Sequence, residues 1–231
     1  MALFTEIYTM RVIITAATTG EWMPAFVALP EVYRGISQRL KVSFAQTGVG
    51  MLASSFALTR LVLTEKPDLV IQAGIAGSFL ADWPSASVLA VSDEYLGDTG
   101  VFENNEWKDL FDLQLEKKSY PPFEKRKLPN PWLGTYNVLG LPTVKAITVN
   151  EISTQKERIK VLQKKYQPVL ESMEGAALHY VCRSLQVPFL QVRAVSNRVG
   201  ERDKSKWQMT AAVHELNQFL LQYVDALYQI A

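Results

Sequence analysis

The sequence is poor in the residues that most often hold metals or staple small secreted folds: it has one cysteine and two histidines. A lone Cys182 excludes an internal disulfide and fits a reducing cytoplasm. Set among apolar neighbours in a predicted helix, it reads as a core thiol. His179 and His214 each fall inside a predicted helix. No Cys/His group has metal-ligand spacing, and a Ser-His-Asp triad finds little support at either histidine. No apolar run reaches the roughly 18 residues of a membrane span. Residues 1–9 lack the basic start and long apolar stretch of a signal peptide. The net charge of +1 carries no footprint of a nucleic-acid or polybasic membrane partner. Internal repeats, low-complexity tracts and a linker between two cores are also missing.

What is present is material for one core. Hydrophobic residues make up 48% of 231, enough for one domain of ordinary size. We assign that domain to residues 10–231 and read residues 1–9 as an N-terminal extension ahead of a second methionine, Met10. Short apolar runs alternate with helical patterns, which predicts an α/β fold. Strands are expected at 11–15, 40–45, 68–73, 87–91, 144–149 and 189–197. A helix opens near Glu21, with Thr18 or Thr19 as its cap. A second spans 51–66 and stops at Pro67. Thr154-x-x-Glu157 reads as a capping box for a helix to about Lys165, and an alanine-rich helix follows Glu174. Ser205-x-x-Gln208 reads as the cap of a last helix, in which Val213, Leu216, Leu220, Tyr223 and Leu227 share a face. In the segment from Gly97 to Pro142, prolines 121, 122, 129, 131 and 142 argue against long regular elements after Tyr120. A connection of that length points to function or a partner.

Ligands of open α/β sheets bind beyond the carboxyl ends of strands. Ser196 and Asn197 end the predicted strand 189–197, and Glu174 stands at the mouth of the helix before it. Glu21 is a second carboxylate at a strand-to-helix turn, favourably placed near a positive helix end. Glycine turns follow two further strands, Thr47-Gly-Val-Gly50 and Gly74-Ile-Ala-Gly77. They suit close approach of backbone to a ligand.

Ser172-Met-Glu-Gly-Ala-Ala177 followed by Val192-Arg-Ala-Val-Ser-Asn197 resembles the Met-Glu … Arg-Ala-x-Ser-Asp signature of the purine nucleoside phosphorylase/nucleosidase superfamily. Within it, the chain is similar to the methylthioadenosine/S-adenosylhomocysteine nucleosidases and, more closely, to the futalosine hydrolases. The resemblance runs from about Met10 to the C-terminus and is weakest between about Asp93 and Lys145. It implies a three-layer αβα fold around a central mixed β-sheet, of the nucleoside phosphorylase/hydrolase kind. It also implies a nucleoside substrate, no metal or organic cofactor, and a homodimer or higher homo-oligomer.

Counted from Met10, Glu21 matches the glutamate that activates water in the nucleosidases; Thr19 and Gly20 replace the two glutamates before it. Ala76 and Gly77 match residues lining the nucleoside pocket. Glu174 is expected on the sugar hydroxyls, with Met173 packed on the sugar. Ile152 stands near the place of an aromatic that stacks on the purine. Gln72 stands where phosphorylases carry a phosphate-holding arginine; a neutral amide cannot neutralise a phosphate dianion, which favours water as acceptor. Asn197 replaces the aspartate of adenine-cleaving enzymes. Its amide suits the carbonyl and ring N–H of hypoxanthine, which points to futalosine hydrolysis in menaquinone biosynthesis. Arg198 and Arg202 are candidates for an acidic 5′ substituent. The alternatives are an adenine-releasing nucleosidase, a phosphorylase, and a non-catalytic nucleoside-binding protein on the same fold.

Overall fold

A computed structural model describes residues 9–34, 39–80, 83–104 and 106–230. Apart from Thr9, the N-terminal extension lies outside the described residues. In chain order the elements are β1 (Met10–Ala16), α1 (Met23–Ala28), α2 (Glu31–Arg34), β2 (Leu40–Gln46), α3 (Met51–Glu65), β3 (Leu69–Ser78), β4 (Val88–Leu96), β5 (Gly100–Glu103), β6 (Glu106–Asp109), β7 (Leu128–Pro129), α4 (Leu133–Tyr136), β8 (Thr143–Thr148), α5 (Lys156–Tyr166), β9 (Leu170–Ser172), α6 (Gly175–Ser184), β10 (Phe189–Arg198) and α7 (Met209–Ile230).

The mixed sheet has helices on both faces. β1 lies between β2 and β3, all parallel, and β10 runs parallel to the other edge of β3. One face, with Ile14, Leu69, Ile71 and Val192, packs against α1 and α7 through Ala25, Leu216, Leu220 and Tyr223. The opposite face, with Val70 and Phe189, packs against Leu58 and Val62 of α3 and Leu178 and Val181 of α6. The alternation of Val70 and Ile71 between the two faces is the period-two signature of a strand buried on both sides.

The sheet also closes on itself. β10 pairs with β4, β4 with β8, β8 with β9, and β9 returns to the end of β3. Ala76, Leu89, Val91, Val144, Ala146, Leu170 and Val195, from all five strands of this ring, pack together. The three-layer fold agrees with the expectation; the ring does not appear in a linear pattern.

Several local expectations change. β3 runs on through Gly74-Ile-Ala-Gly77 rather than ending at Ala73, because β10 pairs with it along that stretch. Residues 170–172 form a strand that completes the ring, and β5 and β6 pair antiparallel in a stretch with no element assigned from the sequence. α5 begins after Gln155 with no side-chain cap. The backbone N–H of Ser153 is tied to the Glu171 carboxylate, so helical geometry starts only beyond it and Thr154 does not cap. Ser205 does not cap α7 either. Its N–H and hydroxyl both go to Asp203, in a 3₁₀ turn before the helix. Leu216, Leu220, Tyr223 and Leu227 are buried together as expected.

Candidate active site

Glu21 sits in a 3₁₀ turn (Thr19–Glu21) just ahead of α1, not in the helix itself. Its Oε2 accepts from the Thr18 N–H at 2.9 Å and hydroxyl at 3.0 Å; its Oε1 accepts from the Ile75 N–H at 3.3 Å. Three donors on a carboxylate fix where it points. Asn217 of α7 holds the turn from behind, donating to the Glu21 carbonyl at 2.9 Å and accepting from the Ala25 N–H at 2.8 Å.

Glu174, 7% exposed, is the residue that caps α6. Its Oε1 accepts from the Gly50 N–H at 3.0 Å, so the glycine turn before α3 binds this carboxylate. Its Oε2 lies 3.8 Å from Nη2 of Arg193. Arg193 is 1% exposed and donates to Gln72 Oε1 at 2.6 Å. A Cβ on Gly74 would meet Arg193 Nη1 at 1.9 Å and Glu21 Oε1 at 3.2 Å, so glycine is required for the guanidinium to lie there. Gln72 is fully buried, with its amide oxygen held by Arg193, and lies behind the site rather than in it.

A register shift between Val195 and Asn197 brings Asn197 opposite Gly77. Bulges of this kind commonly re-aim a side chain beside a site. Asn197 accepts from the Ser196 hydroxyl at 2.8 Å and donates to the Arg198 carbonyl at 2.8 Å. One amide N–H is left over.

Glu21, Ala76, Gly77, Ile152, Met173, Glu174 and Asn197 all line one cavity of about 300 Å³. That is the lower end of the size range for small-molecule pockets. A wider groove of about 640 Å³ between α1 and α7 has no carboxylate in its lining. Ile152, 40% exposed, is the apolar side chain at the place expected for an aromatic. Arg202 lines the cavity with its guanidinium 5.5 Å from the Trp207 ring. Arg198 is exposed and does not line it.

The contacts that Thr18, Gly50 and Arg193 make to the two carboxylates, and the place of Glu171 in the cavity, escape a reading of the sequence alone. Arg193 did leave a signal: an arginine inside Phe-Leu-Gln-Val-Arg-Ala-Val has to be paired if the strand is buried. Glu171 lines the cavity but sits in a stretch with no strand pattern. Among the described residues, no group of three or more His, Cys, Asp or Glu side chains is arranged to hold a metal ion.

A mixed sheet partly closed into a ring and flanked by helices matches the fold of solved nucleosidases. The chain belongs to the phosphorylase superfamily, whose family model matches residues 16–225. It is 27% identical over 174 residues to futalosine hydrolase from Thermus thermophilus, covering 75% of this chain and 76% of that one. It is 27% identical over 202 residues to 5′-methylthioadenosine/S-adenosylhomocysteine nucleosidase from Haemophilus ducreyi, covering 85% and 82%. The fold matches the crystal structure of the 5′-methylthioadenosine/S-adenosylhomocysteine nucleosidase from Colwellia psychrerythraea in complex with adenine. The TM-score is 0.77 at 20% identity, over 96% of this chain and 97% of that one.

Proposed function

We propose that this protein hydrolyses the N-glycosidic bond of a purine nucleoside, and that the nucleoside is a 6-oxopurine one of the futalosine type. The observation that carries the reading is the opening of the Glu21 and Glu174 carboxylates and the Asn197 amide onto one cavity. Glycosidic cleavage passes through an oxocarbenium-like sugar and an electron-rich leaving group. Glu21 orients and deprotonates water. Glu174 holds the sugar hydroxyls and favours the developing cation, with Met173 packed on the sugar. Asn197 donates to the departing base. A non-catalytic binder needs no water-activating carboxylate.

The preference for a 6-oxopurine rests on a neutral amide donor at position 197. Arg202 at the cavity wall supports an acidic 5′ substituent. The test is product analysis on futalosine and its 6-amino analogue, with and without phosphate. Hypoxanthine and a free sugar are expected in both buffers. A sugar 1-phosphate would make the protein a phosphorylase, and equal rates on the 6-amino compound would favour an adenine-releasing nucleosidase.

A homodimer is the second part of the proposal. Leu52, Phe56 and Leu63 form one stripe along α3 and are 87%, 70% and 57% exposed. Val49, beside that stripe, is 58% exposed and lines the cavity. An apolar patch of this kind marks an interaction surface. Sedimentation analysis of the wild type and of Phe56→Glu reads it: a dimer dissociated by the substitution is expected, and a monomeric wild type would overturn it.

A further inference from the structure

Glu174 stands at the N-cap position of α6, yet its side chain makes no capping hydrogen bond. The first N–H groups of a helix have no partner inside it, and an N-cap side chain ordinarily accepts from one of the next two or three residues. A carboxylate there is also drawn to the positive end of the helix. Glu174 instead reaches away. Its Oε1 accepts from the Gly50 N–H at 3.0 Å, and the residue lines the cavity. The start of α6 must therefore find its acceptors elsewhere.

Two hydroxyls supply them. The Gly175 N–H donates to Ser172 Oγ at 3.3 Å, and the Ala176 N–H donates to Thr148 Oγ1 at 2.7 Å. The Ala177 N–H goes to the Glu174 carbonyl at 3.0 Å. The shortest of the three bonds is the one at Ala176, two residues into the helix, which an N-cap side chain would otherwise claim. Thr148 comes from the end of β8 and is fully buried.

Thr148 is itself oriented. A threonine hydroxyl has one proton and two lone pairs. The proton goes to Glu94 Oε2 at 3.0 Å, which leaves the lone pairs for Ala176. Glu94 is held in turn by Gln191, whose Nε2 donates to Oε1 at 2.8 Å. The same two groups crowd the backbone next to Glu174. A Cβ on Gly175 would meet Glu94 Oε1 at 1.8 Å and Gln191 Nε2 at 2.3 Å. Glycine at 175 is what lets β4 and β10 bring these side chains against the first turn of α6.

We propose that Thr148 is a positioning residue for Glu174: by taking the Ala176 N–H it does the capping that the Glu174 carboxylate would otherwise do, and leaves that carboxylate free for the sugar hydroxyls. This inference rests on the reading of the cavity as a nucleosidase site. Without the hydroxyl, the Ala176 N–H is buried and unpaired, a cost that Glu174 relieves by turning back onto its own helix. Glu174 then leaves the sugar, while Glu21 and Asn197, on other elements, keep their places.

The test compares wild type with Thr148→Val, which keeps the shape and removes the hydroxyl, and with Thr148→Ser, which keeps the hydroxyl. Release of hypoxanthine from inosine and from 2′,3′-dideoxyinosine gives kcat/KM with and without the sugar hydroxyls. The ratio of the two is expected to fall by about 10- to 100-fold in Thr148→Val, as for loss of a hydrogen bond to a charged group. Thr148→Ser is expected to restore the wild-type ratio. A merely structural role lowers both substrates alike and shows only in urea denaturation. An unchanged ratio, as when Glu94 takes over the Ala176 N–H, would overturn the proposal.

Thr148→Cys, whose sulfur is a weak acceptor, makes the same comparison if the valine variant does not fold. A smaller fall in the same direction is expected, and no fall overturns the proposal. Futalosine hydrolysis in the same preparations reads the nucleosidase assignment separately. If wild type releases hypoxanthine from none of the three compounds, that assignment fails, and calorimetric binding of inosine and dideoxyinosine carries the comparison. A preference for inosine that Thr148→Val abolishes would keep the role of Thr148; equal binding of the two by wild type, or binding of neither, overturns it.

Discussion

At the scale of single residues, two carboxylates carry the proposed reaction, and their environments suit different tasks. Glu21 takes three donors from Thr18 and Ile75 and faces the cavity. Glu174 is held by a backbone N–H and stands near a buried guanidinium. Glu21→Gln keeps the shape and removes the base. Turnover is expected to drop on the order of 10²–10⁴-fold with KM little changed; near-normal turnover in steady-state kinetics would mean that water is activated elsewhere. Asn197→Asp puts a carboxyl group where the amide donor stood. It is expected to move the preference toward 6-amino nucleosides, read as the ratio of kcat/KM for the two substrates. An unmoved ratio would leave Asn197 with only a turn-shaping role.

At the scale of elements, α7 does more than cover one face of the sheet. Asn217, 3% exposed, joins α7 to the turn that carries Glu21 by accepting from the Ala25 N–H and donating to the Glu21 carbonyl and the Val213 carbonyl. Asn217→Ala leaves the buried Ala25 N–H and the half-buried Glu21 carbonyl without this partner, at about 1–3 kcal/mol. Urea denaturation measures that loss. Kinetics on the same variant are expected to show kcat falling more than KM, because the turn that aims Glu21 is loosened while the sugar and base contacts remain. Unchanged stability would assign the turn's position to the packing of Trp22 and Phe26 against Phe44 instead.

At the scale of the whole molecule, the ring of strands is tied by a buried polar chain behind the active site. Glu94 on β4 accepts from Thr148 of β8 at 3.0 Å and from Gln191 of β10 at 2.8 Å, and Thr148 accepts from the Ala176 N–H of α6 at 2.7 Å. Burial pushes the Glu94 carboxyl up from 4.5 to about 7; the Gln191 amide, the Arg193 guanidinium and the Thr148 hydroxyl pull it down, and Glu174 pushes it up. The folded state therefore holds this proton more tightly than the unfolded chain. The stabilisation is fully present below the unfolded value of 4.5 and is lost as pH rises through about 7. The stability of wild type minus that of Glu94→Gln is expected to fall by about 3 kcal/mol between pH 4 and pH 8, because each tenfold gain in proton affinity is worth roughly 1.4 kcal/mol. Denaturation at the two pH values measures it, and a difference independent of pH would show a carboxyl that titrates normally. Among the described residues, no helix is long and apolar enough to cross a membrane.

The sequence by itself determined the elements whose signal is local. The apolar runs at β1, β2, β3, β8 and β10, the stripe on α7, and the stop at Pro67 after α3 are short-range patterns of burial and backbone preference, and they survive in the fold. The seven expected residues line one cavity; two ordered motifs carry Met173, Glu174 and Asn197, the spacing from Met10 carries Glu21, the glycine turn carries Ala76 and Gly77, and Ile152 follows from its place after the predicted strand ending at Val149. Only the tertiary structure decided how those residues meet. β9 has three residues and no pattern of its own; it is a strand because β3 and β8 supply partners. Thr154 and Ser205 look like caps, yet neighbouring carboxylates, Glu171 and Asp203, hold the chain there in other conformations. Arg193, Gln72 and Gly74 lie in separate stretches and become one unit only when β3 and β10 pair in register. Glu171 looks like an ordinary surface charge in the sequence. It lines the cavity because ring closure brings β9 to the end of β3, and strand pairing between distant segments is set by the packing of the whole core, not by any window of the chain.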